Sequence, residues 1–126
     1  MREKALNLLG LMRKAGKIEL GEMNVGAAVK ERRAKLILLT PDAGANARDR
    51  AERFARSHEI PFVELPFMKE ELSKGVGKAN TVMAAVTDSG FAKAFITDLG
   101  EGYGDVLEKR GRDAGDRKTG TERSDA

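Results

Sequence analysis

The apolar positions of this 126-residue chain switch between two periods. Near the start, Ala5, Leu8, Leu9 and Met12 recur at the spacing of one helix face, which predicts an amphipathic helix over residues 3–15. Gly16 suits the left-handed position that often follows a helix, and Arg13 and Lys14 complement the negative end of its dipole. Residues 17–20 then read as a short strand. Gly21 predicts a tight turn into a second helix, with Val25, Ala28 and Val29 inward and Gly26, Lys30 and Arg33 outward. Residues 36–39 form a continuous apolar run, typical of a central strand covered on both faces. Thr40-Pro41-Asp42 ends it, because proline cannot continue a central ladder.

Helical spacing returns with Ala47, Ala51, Phe54 and Ala55, behind Asn46 as the expected N-cap. Asp49 with Arg53, and Glu52 with Arg56, stand four apart, pairs worth about 0.2–0.5 kcal/mol each. Those acidic neighbours make Arg48, Arg50, Arg53 and Arg56 read as an ordinary solvated helix face. Residues 62–65 form the next expected strand and 69–74 a short helix ended by Gly75-Val76-Gly77. Residues 81–86 are the last strand. Thr87 or Asp88 caps a final helix in which Phe91, Ala94 and Phe95 face inward. Strands alternating with helices define an α/β fold, a helix–sheet–helix sandwich of about four strands. The pattern leaves open whether the sheet is parallel or mixed.

Composition changes this picture at one place. Hydrophobic residues make up 40% of the chain, enough for one real core at this length. After Asp98, glycine rises to six residues in 28 and apolar residues become scarce. Residues 99–126 hold six basic side chains and seven acidic ones, a net −1, so with +3 overall residues 1–98 carry a net +4. The expected organisation is a domain over 1–98 and a disordered, charged, glycine-rich tail over 99–126, with transient helix near 105–109. The net positive domain suits an anionic partner.

Candidate chemistry narrows the function mainly by exclusion. The chain contains no cysteine and only one histidine, His58, which excludes a thiolate metal site and a disulfide framework. No cofactor or metal is expected. Asp42 and Asp88 sit at element boundaries, where aspartate turns or caps. Gly75-Val76-Gly77-Lys78 lacks the spacing of a phosphate loop and follows a helix, not a strand. Catalysis is therefore not expected. The first residues lack the apolar run and small-residue site of a signal peptide, and no run reaches membrane-spanning length. A soluble, cytoplasmic protein without membrane contact is the expectation.

Gly21, Glu22, Met23 and Asn24 are the most suggestive stretch, because a helix start exposes unpaired N–H groups that can hold phosphate or read a base edge. Alone, the pattern favours an ordinary strand-to-helix connection, because such connections are common. Four segments together say more: AGKIELGEMNVGAAVKERRAKLILLTPDA, HEIPFVEL, KEELSKGVGK and VMAAVTDSGFAKAF. In order and spacing they resemble the L-seven-Ae/L-thirty-e ribosomal protein family, in its bacterial YlxQ-type branch of ribosomal-protein-like RNA-binding proteins. The resemblance spans about residues 4–97.

That resemblance implies a three-layer αβα sandwich with a mixed sheet, and binding to kinked RNA helices called kink-turns. It implies a strand–Gly–helix turn that typically reads Gly-Thr-Asn-Glu, with the glutamate accepting from a guanine edge. Here the glycine is kept as Gly21, while the family's Asn falls on Met23, its Glu on Asn24, and a lysine one turn later on Ala27. It also implies a contact from the loop before the last strand, here Lys78, Ala79, Asn80 and Thr81, where turn closure is an equally good reading of the last two. The expected function is non-catalytic recognition of structured RNA, ribosomal RNA among the candidates, with relaxed or altered kink-turn selectivity. Lys17, Lys30 and Lys78 would neutralise phosphates, residues 21–24 approach the RNA, and residues 78–81 support an unstacked nucleotide. A module docking on the ribosome or on translation factors is the alternative. A substrate-recognition domain of an RNA-modifying enzyme is a third reading, for which the chain supplies no catalytic part.

Overall fold

The computed structural model describes residues 2–108. The helices are α1 (Arg2–Ala15), α2 (Glu22–Lys30), α3 (Ala45–His58), α4 (Lys69–Val76) and α5 (Ser89–Leu99), and the strands are β1 (Ile18–Leu20), β2 (Leu36–Leu39), β3 (Phe62–Glu64) and β4 (Met83–Val86). The strands form one sheet in the order β1-β4-β2-β3. β4 runs antiparallel to both β1 and β2, while β2 and β3 are parallel. The fold is thus the expected α/β sandwich, and its sheet is mixed.

Alternation along the strands splits the core into two layers. Leu36 and Leu38 of β2, Val63 of β3, and Ala84 and Val86 of β4 lie under Leu9 and Met12 of α1, Leu72 and Val76 of α4, and Phe95 and Ile96 of α5. Ile37, Leu39, Phe62, Met83 and Ala85 face the other way, against Val25, Ala28 and Val29 of α2 and Ala51 and Ala55 of α3. All four residues of β2 are fully buried, which explains their unbroken apolar run. Each such leucine contributes about 1.5–3 kcal/mol by leaving water.

Several element ends differ from expectation, each for a local reason. α3 begins at Ala45 behind an extended Gly44, so Asn46 lies in its first turn and is not its cap. Glu52, expected to pair with Arg56 on the solvated face, is buried. The Asp49–Arg53 pair forms as expected, at 3.2 Å. α4 runs through Gly75 and Val76 to a left-handed Gly77. Within it, Gly75 lies where α1 crosses closely: a Cβ there would stand 3.3 Å from Leu6. β4 starts at Met83 because Thr81 is held in the preceding loop. In α5, Ala92 and Ile96 take the inward places and Ala94 is exposed. Gly26 faces α3 instead of solvent, with a Cβ position 3.1 Å from the Phe54 ring.

Structure also continues past Asp98. Two single-turn 3-10 helices, Glu101–Tyr103 and Val106–Glu108, follow α5, and Tyr103, Val106 and Leu107 pack on the α1/α5 layer. Part of the stretch read as tail therefore belongs to the packed fold, because its few apolar residues fall where they can cover α5. The rest of the expected tail lies outside the described residues. Among the described residues no helix is long and apolar enough to cross a membrane.

Candidate functional site

The β1–β4 ladder decides what meets what. Leu20 pairs with Ala84, and the Gly21 N–H donates to the Met83 carbonyl at 2.9 Å. This ties the start of α2 to the start of β4. The loop entering β4 holds residues 78–82, so residues 21–24 and 78–80 share one edge of the sheet. The end of β2 joins them, since the Thr40 N–H donates to the Val82 carbonyl at 2.9 Å.

Gly21 adopts φ 88° and ψ 156° and provides no side-chain cap to α2. That backbone is open to glycine and strained for other residues. The Val25 N–H bonds the Gly21 carbonyl, which leaves the N–H groups of Glu22, Met23 and Asn24 as the open donors of the first turn. The side chains above them are unequally free. Met23 is 86% exposed. Asn24 donates one of its two amide N–H groups to the Leu20 carbonyl at 2.9 Å, which leaves its carbonyl oxygen and the second N–H for an outside partner. Glu22 is ion-paired with Arg50 of α3 at 3.0 Å.

The second arm of the edge is built from several directions. Arg13 donates to the Val76 carbonyl at 2.8 Å, across 63 residues. It stands in the last turn of α1, as the sequence suggests, and it also steadies the end of α4. The Lys78 N–H donates to the Ser73 carbonyl and the Thr81 N–H to the Ser73 hydroxyl, both at 3.0 Å. The Thr81 hydroxyl donates to the Lys78 carbonyl at 2.8 Å. Thr81 is 2% exposed, so it closes the loop, and Lys78, Ala79 and Asn80 form its outer surface. Asn80 sits at φ 60°, a conformation asparagine tolerates better than most residues.

Lys17 and Lys30 are not at this edge. The Lys17 carbonyl accepts from Thr87, past the far end of β4, about 13 Å from Gly21 at about 3.3 Å per strand residue. Lys30 ends α2, which climbs away from Gly21 by a similar distance at about 1.5 Å per residue. Sequence order put both lysines near the turn, but the extended strand and the helix carry them to the opposite end. What sequence reading missed was the link across to α3. Arg50, Arg53, Arg56, Phe54 and Ser57 line an open concavity of about 690 Å³ on that helix. Their spacing is legible in the chain, but the aromatic floor that Gly26 permits is not.

No group of three or more His, Asp or Glu suited to a metal occurs among the described residues. The edge offers open N–H groups, a lysine, amide oxygens and an exposed thioether, which suits contact with a polyanion and offers no nucleophile–base pair.

Comparison with known proteins bears on the same stretch. The model of the ribosomal protein L7Ae/L30e/S12e/Gadd45 family matches residues 3–96. The chain is 36% identical over 92 residues to a protein named RNA-binding protein YlxQ from Enterococcus faecium, covering 73% of this chain and 87% of that one. The identity is again 36% over 92 residues to the protein of the same name from Bacillus subtilis (strain 168), covering 73% and 91%. Among solved structures, a protein of unknown function from Bacillus halodurans C superposes with a TM-score of 0.71 at 30% identity, covering 78% of this chain and 98% of that one. A Giardia lamblia 15.5kD RNA binding protein superposes with a TM-score of 0.61 at 17% identity, covering 82% and 84%, a likeness of fold.

Proposed function

Because the chain belongs to the ribosomal protein L7Ae/L30e/S12e/Gadd45 family, we propose that it is an RNA-binding protein, not an enzyme, that holds structured RNA at the edge where residues 21–24 and 78–80 meet. One observation carries this reading: the open helix start and the Lys78 loop lie on one edge, tied by the Gly21–Met83 hydrogen bond. The N–H groups of residues 22–24 take phosphate or a base edge, Lys78 takes phosphate, and Asn80 reaches a base or a 2′-hydroxyl.

Selectivity for kink-turns is relaxed in this reading. Met23 has no amide with which to read a base. Asn24 commits one of its two amide N–H donors to Leu20 and presents a neutral amide, where the family resemblance implies a carboxylate. The RNA is ribosomal or another structured RNA, the site of action is the cytoplasm, and the ribosome or translation factors are the protein partners. Gel shifts at low salt comparing a kink-turn with a duplex lacking the G·A pairs are expected to show binding to both with little difference. Met23→Asn with Asn24→Glu is expected to restore discrimination, by about 1–3 kcal/mol per polar contact. Absence of affinity for kink-turn, stem-loop and ribosomal RNA would sink the reading.

The 86% exposed Met23 favours a second reading, a protein-interaction module in translation or ribosome assembly. Pull-down from lysates with and without nuclease separates the two: a partner retained after nuclease treatment supports the second.

A further inference from the structure

The α3 concavity is a charged surface that the edge site does not use. Arg50, Arg53 and Arg56 recur every three residues along one face of the helix, and with Phe54 and Ser57 they line its 690 Å³. No carboxylate belongs to that lining. At its margin Glu22 pairs with Arg50 at 3.0 Å and Asp49 with Arg53 at 3.2 Å. Both pairs are exposed on each side, with side chains 42–64% accessible, so they are weak and exchange readily for another anion. The Phe54 ring lies against Gly26, which fixes an aromatic surface between the arginines. The Glu22–Arg50 pair also joins the concavity to the first turn of α2.

We propose that this arginine face is a second RNA contact, taking the ribose-phosphate backbone of the strand that leaves the edge formed by residues 21–24. The proposal rests on the RNA-binding reading above. Guanidinium groups match phosphate oxygens in pairs and stack on bases and rings, and an aromatic surface flanked by arginines accepts an unstacked base of any identity. The face therefore adds affinity without sequence preference. It also extends the footprint from the start of α2 along α3, over the two helices that cover one side of the sheet.

The test uses the full chain and a fluorescently labelled stem–internal-loop RNA with tandem G·A pairs, titrated at several salt concentrations. Arg53→Ala with Arg56→Ala is expected to weaken binding about tenfold at low salt and to lower the slope of log affinity against log salt by about one to two. Arg53→Lys with Arg56→Lys is expected to retain most of the slope. Lys4→Ala with Lys74→Ala removes the same charge from exposed positions on the opposite helix layer and serves as the reference. An arginine variant no weaker than that reference overturns the second contact while leaving the edge site standing. Wild-type protein that does not bind RNA overturns both. Capture of poly-aspartate by this face in preference to the RNA also overturns the proposal, in favour of an acidic protein partner. Should the alanine pair unfold the helix, Arg56→Glu alone, which changes the charge by the same two units, is expected to give a comparable loss of affinity with the circular dichroism unchanged.

Discussion

At the scale of single residues, the candidate edge depends on Gly21 and on what Asn24 does with its amide. A Cβ at Gly21 would touch nothing within 4 Å, so the obstacle to substitution is conformational and not a clash. Gly21→Ala is expected to destabilise the fold by about 1–3 kcal/mol, read from the urea midpoint. It is also expected to weaken RNA binding by displacing the open N–H groups. The identity of Gly21 was legible in the chain because only glycine serves such a turn. The Asn24 hydrogen bond was not, since it depends on where the Leu20 carbonyl points once β1 has paired. Arg32 makes the converse case. It follows α2 at φ 61°, with no glycine to announce the left-handed residue. Arg32→Gly is expected to stabilise the protein by up to about 1 kcal/mol in the same assay.

At the scale of elements, two aspartates cap helices from different distances. Asp88 accepts from the Phe91 N–H at 2.9 Å and starts α5. Asp88→Ala is expected to cost about 0.5–2 kcal/mol. Its role was visible in the sequence because a cap lies next to the helix it serves. Asp42 accepts from the Lys69 N–H at 3.0 Å and 3.3 Å, across 27 residues, and so caps α4 from the end of β2. Partial desolvation alone would raise the Asp42 carboxyl, but the hydrogen bonds from the Lys69 N–H and the nearby Lys69 charge hold it below its ordinary 3.8. The stabilisation is then complete above that value and is lost as pH falls through the folded one. Wild type and Asp42→Ala are expected to differ in urea midpoint at neutral pH and to converge in acid. The same long reach gives Arg13 a second role invisible in the sequence, since it stands in the last turn of α1 and also holds the end of α4.

At the scale of the whole molecule, the sheet carries both layers and so couples them. Leu38→Ala is expected to cost about 2–5 kcal/mol, because the fully buried strand has no room to collapse around the loss. The C-terminal boundary is equally a matter of the whole. Tyr103, Val106 and Leu107 pack on the layer formed by α1 and α5. A chain ending at Gly100 is expected to unfold at lower urea than one ending at Glu108, by about 2–4 kcal/mol from the apolar area exposed. Equal midpoints would place the boundary back at the end of α5.

Periodicity alone determined the α/β class, the succession of helices and strands, the fully covered β2 and the glycine turn before α2, because each is a local preference written within a few residues. Only the tertiary structure decided that residues 21–24 and 78–80 form one edge, that Lys17 and Lys30 belong to the other, that Thr81 closes a loop, and that three arginines and Phe54 form one concavity. These are consequences of strand order and of directions in space. A strand carries Lys17 away from Gly21 by its own length, while an antiparallel ladder brings Met83 to it across 62 positions of chain.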